Sequence, residues 1–255
     1  MNDGGCNEMN IISSSYGNDS IALIQWALEN DINIFSVVYC DTGWASPGWS
    51  DRVARCEAYC HSHNLKTVRL ESEGMENLIK KKKGWPSNRY QFCTTYLKLI
   101  PFLRWVESHD RGAIANILIG KRRAESKNRR DTQEYQKHSE YYLNRTIWHP
   151  LYLHSNADRD GLVRRSGLEL LKHRSLECNP CVNANRSDFL RLKTKEVEKV
   201  NRLEVDIAKP MFRPKRYMAF GIYAVMVWAK YGPKRKDIEE VLEDEGCGSP
   251  FGCGL

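Results

Sequence analysis

Short apolar segments alternate with longer amphipathic segments over roughly the first 150 residues of the chain. Five segments have the length and composition of buried strands, at residues 9–13, 33–39, 66–70, 113–120 and 146–153. Three intervening segments are long enough for helices, at residues 21–28, 49–64 and 92–109. Because strands that alternate with helices form parallel sheets, the pattern predicts an α/β fold with a doubly wound, mostly parallel five-stranded sheet.

The alternation ends at residue 153. Residues 160–174, 186–203 and 217–231 have helical patterns, and the sequence ECNPC lies between the first two of them. We therefore predict two parts: a sheet domain over residues 1–155, and a smaller helical C-terminal subdomain with a cysteine knuckle over residues 156–255.

The chain of 255 residues carries 39 Lys and Arg against 32 Asp and Glu, a formal net charge of +7. A basic balance suits anionic partners such as ATP or nucleic acid, although proteins that bind neither also have it. The longest nearly apolar run, residues 219–229, is too short to span a bilayer, and the N-terminus has no signal-peptide pattern. We expect a cytoplasmic protein with no membrane partner.

The turn between the first strand and the first helix has the composition of an anion site. Its sequence is SYGNDS, residues 15–20, and the apolar strand before it ends at Ser13. Gly17 lets a ligand approach the backbone, the hydroxyls of Ser15 and Ser20 can donate, and the N–H groups of a helix start attract phosphate. Neither a Walker A loop nor the three-glycine dinucleotide fingerprint fits these residues. An ordinary serine-rich turn is the alternative.

Polar and basic residues follow two other strands. Asp41, Thr42 and Gly43 come directly after the second strand, at the edge where open α/β sheets bind ligands. The segment GKRRAESKNRR, residues 120–130, follows the fourth strand, and its guanidinium groups suit a polyphosphate or sulfate. A plain strand-ending turn and a solvated basic loop are the alternatives.

Five blocks together resemble the 3′-phosphoadenylyl-sulfate (PAPS) reductase-like branch of the adenine nucleotide α-hydrolase superfamily. They are the Ser-x-Gly-x-Asp-Ser loop at residues 15–20, Asp-Thr-Gly at residues 41–43, Cys93-Thr94 with Lys98 and Pro101, Gly-x-Arg-x-x-Glu-Ser at residues 120–126 with Arg129, and Trp-x-Pro-Leu at residues 148–151. In the loop, Tyr16 replaces the usual first glycine and Asn18 replaces a frequent lysine. The blocks occur in the family's order between residues 9 and 153.

The resemblance implies a HUP or Rossmann-like sheet that binds ATP, with Mg²⁺, or PAPS. The residues that it would make catalytic are Asp19, Lys98, Arg122 and Arg123. The residues that it would place around the nucleotide are Ser13, Ser15, Gly17, Asn18, Ser20, Asp41, Thr42, Gly43, Gly120, Glu125 and Arg129.

Two reaction classes of this superfamily differ in the thiols that they need. PAPS reductases usually carry a C-terminal Glu-Cys-Gly-x-His motif, cluster-bearing adenylyl-sulfate reductases carry an adjacent Cys-Cys pair, and this chain has neither. In the other class, an ATP pyrophosphatase, an oxygen nucleophile attacks the α-phosphorus, pyrophosphate leaves and the adenylated intermediate accepts sulfur. Mg²⁺ would neutralise the leaving pyrophosphate.

The pattern is most similar to the ATP pyrophosphatases of DNA phosphorothioation systems of the Dnd and Ssp types. That resemblance implies DNA as substrate, a cysteine desulfurase as sulfur donor, and other phosphorothioation subunits as partners. A PAPS reductase, a tRNA sulfurtransferase with the same adenylation chemistry, and a nucleotide-binding subunit without catalysis are the alternatives.

Four of the nine cysteines form two pairs, Cys178-x2-Cys181 and Cys247-x5-Cys253. Four thiolates complete a site for Zn²⁺ or a [4Fe–4S] cluster, and analogy with the family favours the cluster. Alternatively, one of these cysteines or Cys93 carries a persulfide, or the thiols bind nothing.

Overall fold

The computed structural model describes residues 9–214, 220–232 and 251–253. Its strands are β1 (Asn10–Ser14), β2 (Ile34–Cys40), β3 (Thr67–Leu70), β4 (Asn116–Ile119), β5 (Tyr135–Ser139), β6 (Arg145–Trp148), β7 (Phe212–Pro214) and β8 (Phe251–Cys253). Its helices are α1 (Asn18–Glu29), α2 (Trp49–Ser62), α3 (Met75–Lys82), α4 (Phe92–Thr94), α5 (Ile100–His109), α6 (Asn156–Arg165), α7 (Arg186–Phe189), α8 (Thr194–Asp206) and α9 (Ile222–Tyr231). A π-helical segment, Thr95–Leu99, joins α4 to α5. None of the described helices has the length and apolar character needed to cross a membrane.

The chain divides into two compact units. The sheet unit comprises Met1–Asp41, Pro47–Ser72 and Lys98–Glu177. The helical unit comprises Thr42–Ser46, Glu73–Leu97 and Cys178–Leu255.

This division differs from the single boundary after residue 155 that the sequence pattern suggests. Helix α6 packs against α1 and therefore belongs to the sheet unit. Two earlier segments, Thr42–Ser46 and Glu73–Leu97, belong to the helical unit. Periodicity identifies a helix but does not show which surface covers its apolar face. The sequence pattern therefore could not show to which unit each of these segments belongs.

The sheet unit is built on six strands in the order β3-β2-β1-β4-β6-β5. Five strands are parallel, and the edge strand β5 pairs antiparallel with β6. The predicted α/β fold with a mostly parallel sheet is confirmed, with six strands in place of five. Four of the five residues of β5 are exposed, so this strand has no apolar pattern by which the sequence could reveal it.

The position of β1 in this sheet is a topological switch point. β1 has β2 on one side and β4 on the other, so the direction of winding reverses there. Open α/β sheets bind ligands beyond the carboxyl ends of the strands at such a point. The turn after β1 and the segment after β4 therefore meet where the sequence predicts the anion site.

One face of the sheet packs against α5. Ile11, Val38 and Ile117, from three neighbouring strands, form a buried cluster with Phe102 and Val106 of that helix. Burying each such side chain stabilises the fold by about 1.5–3 kcal/mol.

A buried ion pair joins the end of α5 to the start of β6. The side chains of Asp110 and Arg145 are each 2% exposed, and Arg145 Nε donates to Asp110 Oδ2 over 2.7 Å. The backbone N–H groups of Ile114 and Ala115 donate to the same carboxylate over 3.1 and 3.0 Å. Burial opposes ionisation of Asp110, but these hydrogen bonds prevail and lower its pKa. The pair fixes the loop that enters β4.

The helical unit has its own aromatic and aliphatic core. Its largest buried side chains include those of Trp44, Trp85, Phe92, Phe189 and Phe212. The carboxylate of Glu204 in α8 accepts the backbone N–H groups of Met211 and Ile222, each over 2.8 Å. These bonds tie the segment before β7 and the start of α9 to α8.

We predict that Asp110→Ala destabilises the protein by about 3–5 kcal/mol, because it leaves the buried guanidinium of Arg145 without its carboxylate. The matched control is Glu29→Ala, which breaks a pair with Arg165, whose side chain is 56% exposed. The control should cost less than about 1 kcal/mol. Urea unfolding measures the free energy of unfolding of both variants. Equal decreases in that free energy would contradict a special role for the buried pair.

Candidate active site

The loop at residues 15–20 is closed by its own hydroxyl groups. Ser15 N–H donates to Ser20 Oγ over 3.0 Å, and the two serine Oγ atoms lie 3.2 Å apart. Gly17 N–H donates to Ser15 Oγ over 3.3 Å. Gly17 is also the N-cap of α1 and provides no side-chain cap, so the N–H groups of the first turn of α1 can bind an anion. Ser13, predicted to contact the nucleotide, lies in β1 before the loop and is half-buried.

Tyr16 has a backbone conformation that favours glycine. Its φ is 54°, in the left-handed region that residues with a side chain rarely adopt. The tyrosine is fully buried, and its ring lies 5.5 Å from the ring of Tyr39. Arg52 Nε donates to the Tyr16 carbonyl over 2.7 Å. These contacts compensate the backbone strain and hold the loop in place.

A cover segment, residues 167–177, lies on the loop. The side chain of Asn18 donates to Leu171 O over 2.8 Å and accepts Leu171 N–H over 3.0 Å. A Cβ atom at position 17 would lie 3.1 Å from Ser175 Cβ, so Gly17 permits this approach. Arg52 Nη1 donates to the carbonyl of Glu169 over 3.0 Å. Asn18, a predicted nucleotide ligand, therefore binds the backbone of the cover segment. No motif in the sequence identifies Arg52 as a residue of the site.

Arg122 is fully buried and fixes Asp19 at the start of α1. Its Nε donates to Asp19 Oδ1 over 2.5 Å. Its other two nitrogen atoms donate over 3.1 Å each to the carbonyl of His154 and the side chain of Asn156. All three guanidinium nitrogen atoms of Arg122 donate to protein oxygens in this structure. Its role as a direct phosphate ligand stays a prediction.

Gly120 allows the segment after β4 to pass close to α1. A Cβ atom at this position would lie 2.6 Å from the carbonyl oxygen of Asp19. Only glycine fits so near to backbone atoms. Steric crowding therefore explains why the 120–126 block begins with glycine.

The remaining predicted phosphate ligands form contacts within the sheet unit. Arg123 Nε donates to Thr132 O over 2.8 Å, and Arg129 pairs with Glu125. Lys98 Nζ lies 2.5 Å from Glu177 Oε1 at the end of the cover segment.

The thiol of Cys40 lies close to Lys98, but it stays protonated at neutral pH. Cys40 Sγ donates to the carbonyl of Lys98 over 3.4 Å. Burial raises the pKa of Cys40 to about 12, and the charge of Lys98 only partly opposes that shift.

The predicted Asp-Thr-Gly turn follows β2. In the sheet unit, Asp41 N–H donates to the carbonyl of Leu70 over 2.7 Å. In the helical unit, Thr42 O accepts Met75 N–H over 2.9 Å. Gly43 has a φ of +61°, so a larger residue would be strained there.

Three cysteines line one pocket of the helical unit. They are Cys93, at the start of α4, and the knuckle cysteines Cys178 and Cys181. The other walls are mainly apolar and include Trp44, Met75, Trp85, Pro86, Pro180, Val182 and Met211. Among the residues described, no group of three or more His, Cys, Asp or Glu side chains has the arrangement of a site for a single metal ion.

The structure describes three of the four predicted metal ligands. Cys178 and Cys181 lie at the pocket, Cys253 belongs to β8, whose backbone pairs with Phe212 of β7, and Cys247 lies outside the described residues. From the sequence, Cys93 is part of the Cys-Thr block and a candidate persulfide carrier, but not a predicted metal ligand. Its distance along the chain from the knuckle gave no signal that it shares the pocket.

A family model, the phosphoadenosine phosphosulfate reductase domain, matches residues 9–204. The chain belongs to this family. Enzymes of this PAPS reductase-like family act in sulfur transfer and bind a nucleotide. An uncharacterized protein of Methanocaldococcus jannaschii is 22% identical over an aligned length of 247 residues, and the match covers 92% of this chain and 56% of the relative. The chain thus spans a little over half the length of that relative.

Two solved structures are similar to the chain. One is the PAPS reductase from Candida auris in complex with phosphate, with a TM-score of 0.46 and 14% identity over 63% of this chain and 73% of that one. The other is the U34-tRNA thiolase from Methanococcus maripaludis with its [4Fe-4S] cluster, with a TM-score of 0.49 and 13% identity over 93% of this chain and 74% of that one.

We predict that Gly120→Ala displaces the first turn of α1 and weakens nucleotide binding at least tenfold, because its methyl group would overlap the Asp19 carbonyl. A crowded substitution of this kind costs about 1–3 kcal/mol. Gly112→Ala is the control, since the nearest atom to its Cβ would lie 3.6 Å away. Calorimetric titration with a non-hydrolysable ATP analogue measures the affinities, and equal values for both variants would contradict the close approach.

Proposed function

We propose that this protein is an ATP pyrophosphatase that activates a substrate for sulfur insertion. The observation that carries the proposal is the position of Asp19, held at the start of α1 by the fully buried Arg122, beside a serine-rich loop at the switch point of the sheet. A helix start with hydroxyl donors suits a pyrophosphate. A carboxylate at the same place suits the Mg²⁺ that accompanies it.

The chemistry of this proposal is cleavage of ATP between its α- and β-phosphates. An oxygen atom of the substrate bonds to the α-phosphorus, the bond from that phosphorus to the bridging oxygen breaks, and pyrophosphate leaves. Ser15, Gly17 and Ser20 would hold the departing pyrophosphate. Asp19 would hold Mg²⁺, which neutralises negative charge on the phosphates when it is bound. Lys98 and Arg123 would stabilise charge that develops during transfer.

We propose the DNA backbone as the acceptor of sulfur, with a cysteine desulfurase as donor and further phosphorothioation subunits as partners. The net charge of +7 and the basic loop after β4 support a polyanionic substrate. A tRNA acceptor would use the same adenylation. Sulfonucleotide reduction is the alternative within the family, and the absent Glu-Cys-Gly-x-His motif counts against it.

We further propose that Cys93, Cys178 and Cys181 bind a [4Fe–4S] cluster. Three thiols around one largely apolar pocket form a donor set that suits an iron–sulfur cluster. Such a cluster would supply sulfur-ligated iron for the transfer step. Cys253 and Cys247 remain predicted candidates for a fourth ligand.

We predict that Asp19→Asn lowers the rate of pyrophosphate release from ATP about 100-fold or more, because it removes the charge that would hold Mg²⁺. Asparagine keeps an oxygen for Arg122, whereas alanine would leave that buried guanidinium unpaired and destabilise the fold. The matched control is Asp51→Asn, an exposed aspartate in the first turn of α2. AMP and pyrophosphate are measured anaerobically with Mg²⁺, with and without DNA.

Each substrate in this assay identifies one acceptor or reaction. Stimulation of pyrophosphate release by DNA supports phosphorothioation. Stimulation by tRNA but not by DNA would show that tRNA, and not DNA, is the acceptor. Release of sulfite from PAPS together with a thiol reductant, without turnover of ATP, would overturn the pyrophosphatase proposal. An unchanged rate of pyrophosphate release in Asp19→Asn would show that Asp19 does not take part in the reaction.

We predict that Cys93→Ser loses most of the iron and acid-labile sulfide that the wild-type protein binds after anaerobic reconstitution, because it removes one of three pocket thiols. Cys60→Ser is the control, since that thiol is buried in α2 of the sheet unit. If only the paired cysteines bind the cluster, Cys253→Ser loses iron and Cys93→Ser does not. Stoichiometric zinc in a colourless wild type would reject the cluster.

A further inference from the structure

Lys199 is a cation beside the cysteine pocket. It lies in α8, and its Nζ stands 3.6 Å from the centre of the Trp44 ring. Trp44 is 1% exposed and lines the pocket together with the three cysteines. A cation over the face of an indole is stabilised by the negative charge density of the ring. The ammonium group therefore has a defined position in the helical unit.

The same tryptophan holds the cysteine knuckle. Trp44 Nε1 donates to the carbonyl of Pro180 over 3.0 Å, and Trp44 O accepts Asn179 N–H over 2.8 Å. A β-bridge joins Trp44 to Cys178. Lys199, Trp44 and the knuckle thus form one connected group.

Helix α8 reaches the knuckle by a second contact. Asn179 Nδ2 donates to Glu196 Oε1 over 2.6 Å, and the other oxygen of that carboxylate accepts Lys193 N–H over 2.9 Å. Glu196 is 3% exposed. This buried carboxylate lies one turn before Lys199 and adds negative charge beside the cysteines.

The charges around Lys199 come from three elements. Burial lowers the pKa of Lys199, while Glu196 in its own helix, Cys178 in the knuckle and Glu76 in α3 act in the opposite direction. Arg202 in α8 contributes a like charge. A half-buried ammonium group in this position is stabilised by anions, and a cysteine thiolate is one of them.

We propose that Lys199 is a positioning residue that supplies the counter-charge of a thiolate-bound iron–sulfur cluster at Cys93, Cys178 and Cys181, and so raises its reduction potential. This inference rests on the cluster proposed above. Adding one electron makes the cluster more negative. A fixed positive charge nearby stabilises that reduced state more than the oxidised state, in a pocket where apolar walls limit screening.

The test compares Lys199→Met, Lys199→Arg and the wild type after anaerobic reconstitution. Lys195→Met is the matched control, because Lys195 is an exposed lysine of the same helix. The reduction potential is measured by titration with dithionite as the electron donor, followed by visible absorbance and electron paramagnetic resonance. Iron content and urea unfolding are measured on every variant.

Lys199→Met should lower the equilibrium constant for reduction about tenfold, which is about 59 mV for one electron. Lys199→Arg and Lys195→Met should keep the wild-type potential. Equal potentials in Lys199→Met and the wild type, with equal iron, would overturn the role of Lys199 and leave the cluster intact. A wild type that binds no iron would instead overturn the cluster and this inference with it.

If Lys199→Met loses the cluster, a second pair of variants distinguishes an effect of charge from an effect of packing. Lys199→Gln and Lys199→Arg both keep a polar side chain, but only arginine keeps the charge. If charge is what matters, arginine preserves the potential, and glutamine lowers it or loses iron to a chelator at least tenfold faster. Equal behaviour of these two variants would show a packing role and overturn the proposal.

Discussion

The ion pair between the fully buried Arg122 and the half-buried Asp19 is the interaction on which the candidate nucleotide site depends. A guanidinium taken fully out of water is costly unless its N–H groups are bonded. Arg122 meets this requirement with oxygens of Asp19, His154 and Asn156. The segment after β4, the start of α1 and the start of α6 are thereby joined, and the carboxylate beside the serine-rich loop has one orientation.

The loop beside this pair contains a departure from the usual pattern of its family. Tyr16 adopts a left-handed backbone conformation that favours glycine. Burial against Tyr39 and a hydrogen bond from Arg52 hold it there. Asn18, in place of a frequent lysine, binds Leu171 of the cover segment through both atoms of its amide. The loop is therefore held by side chains specific to this chain, in addition to its own hydroxyl groups.

The helical unit has a different organising residue. Trp44 holds the knuckle through Asn179 and Pro180 and carries the ammonium group of Lys199 on its ring. Fixed dipoles and charges around an apolar pocket determine how readily the pocket accepts negative sulfur ligands. We therefore propose that the sheet unit carries the phosphate chemistry and that the helical unit carries the sulfur chemistry.

The sequence by itself determined the class of fold and its family. Apolar strands alternate with helices, and short motifs follow the strands in a fixed order, so local patterns identify the sheet and the loop at residues 15–20. The tertiary structure alone decided which residues meet. The exposed strand β5 has no apolar pattern, Arg52 reaches Tyr16 from another helix, and Cys93 joins the knuckle cysteines across a long stretch of chain. Such contacts depend on how elements pack, and periodicity within one element contains no information about its neighbours.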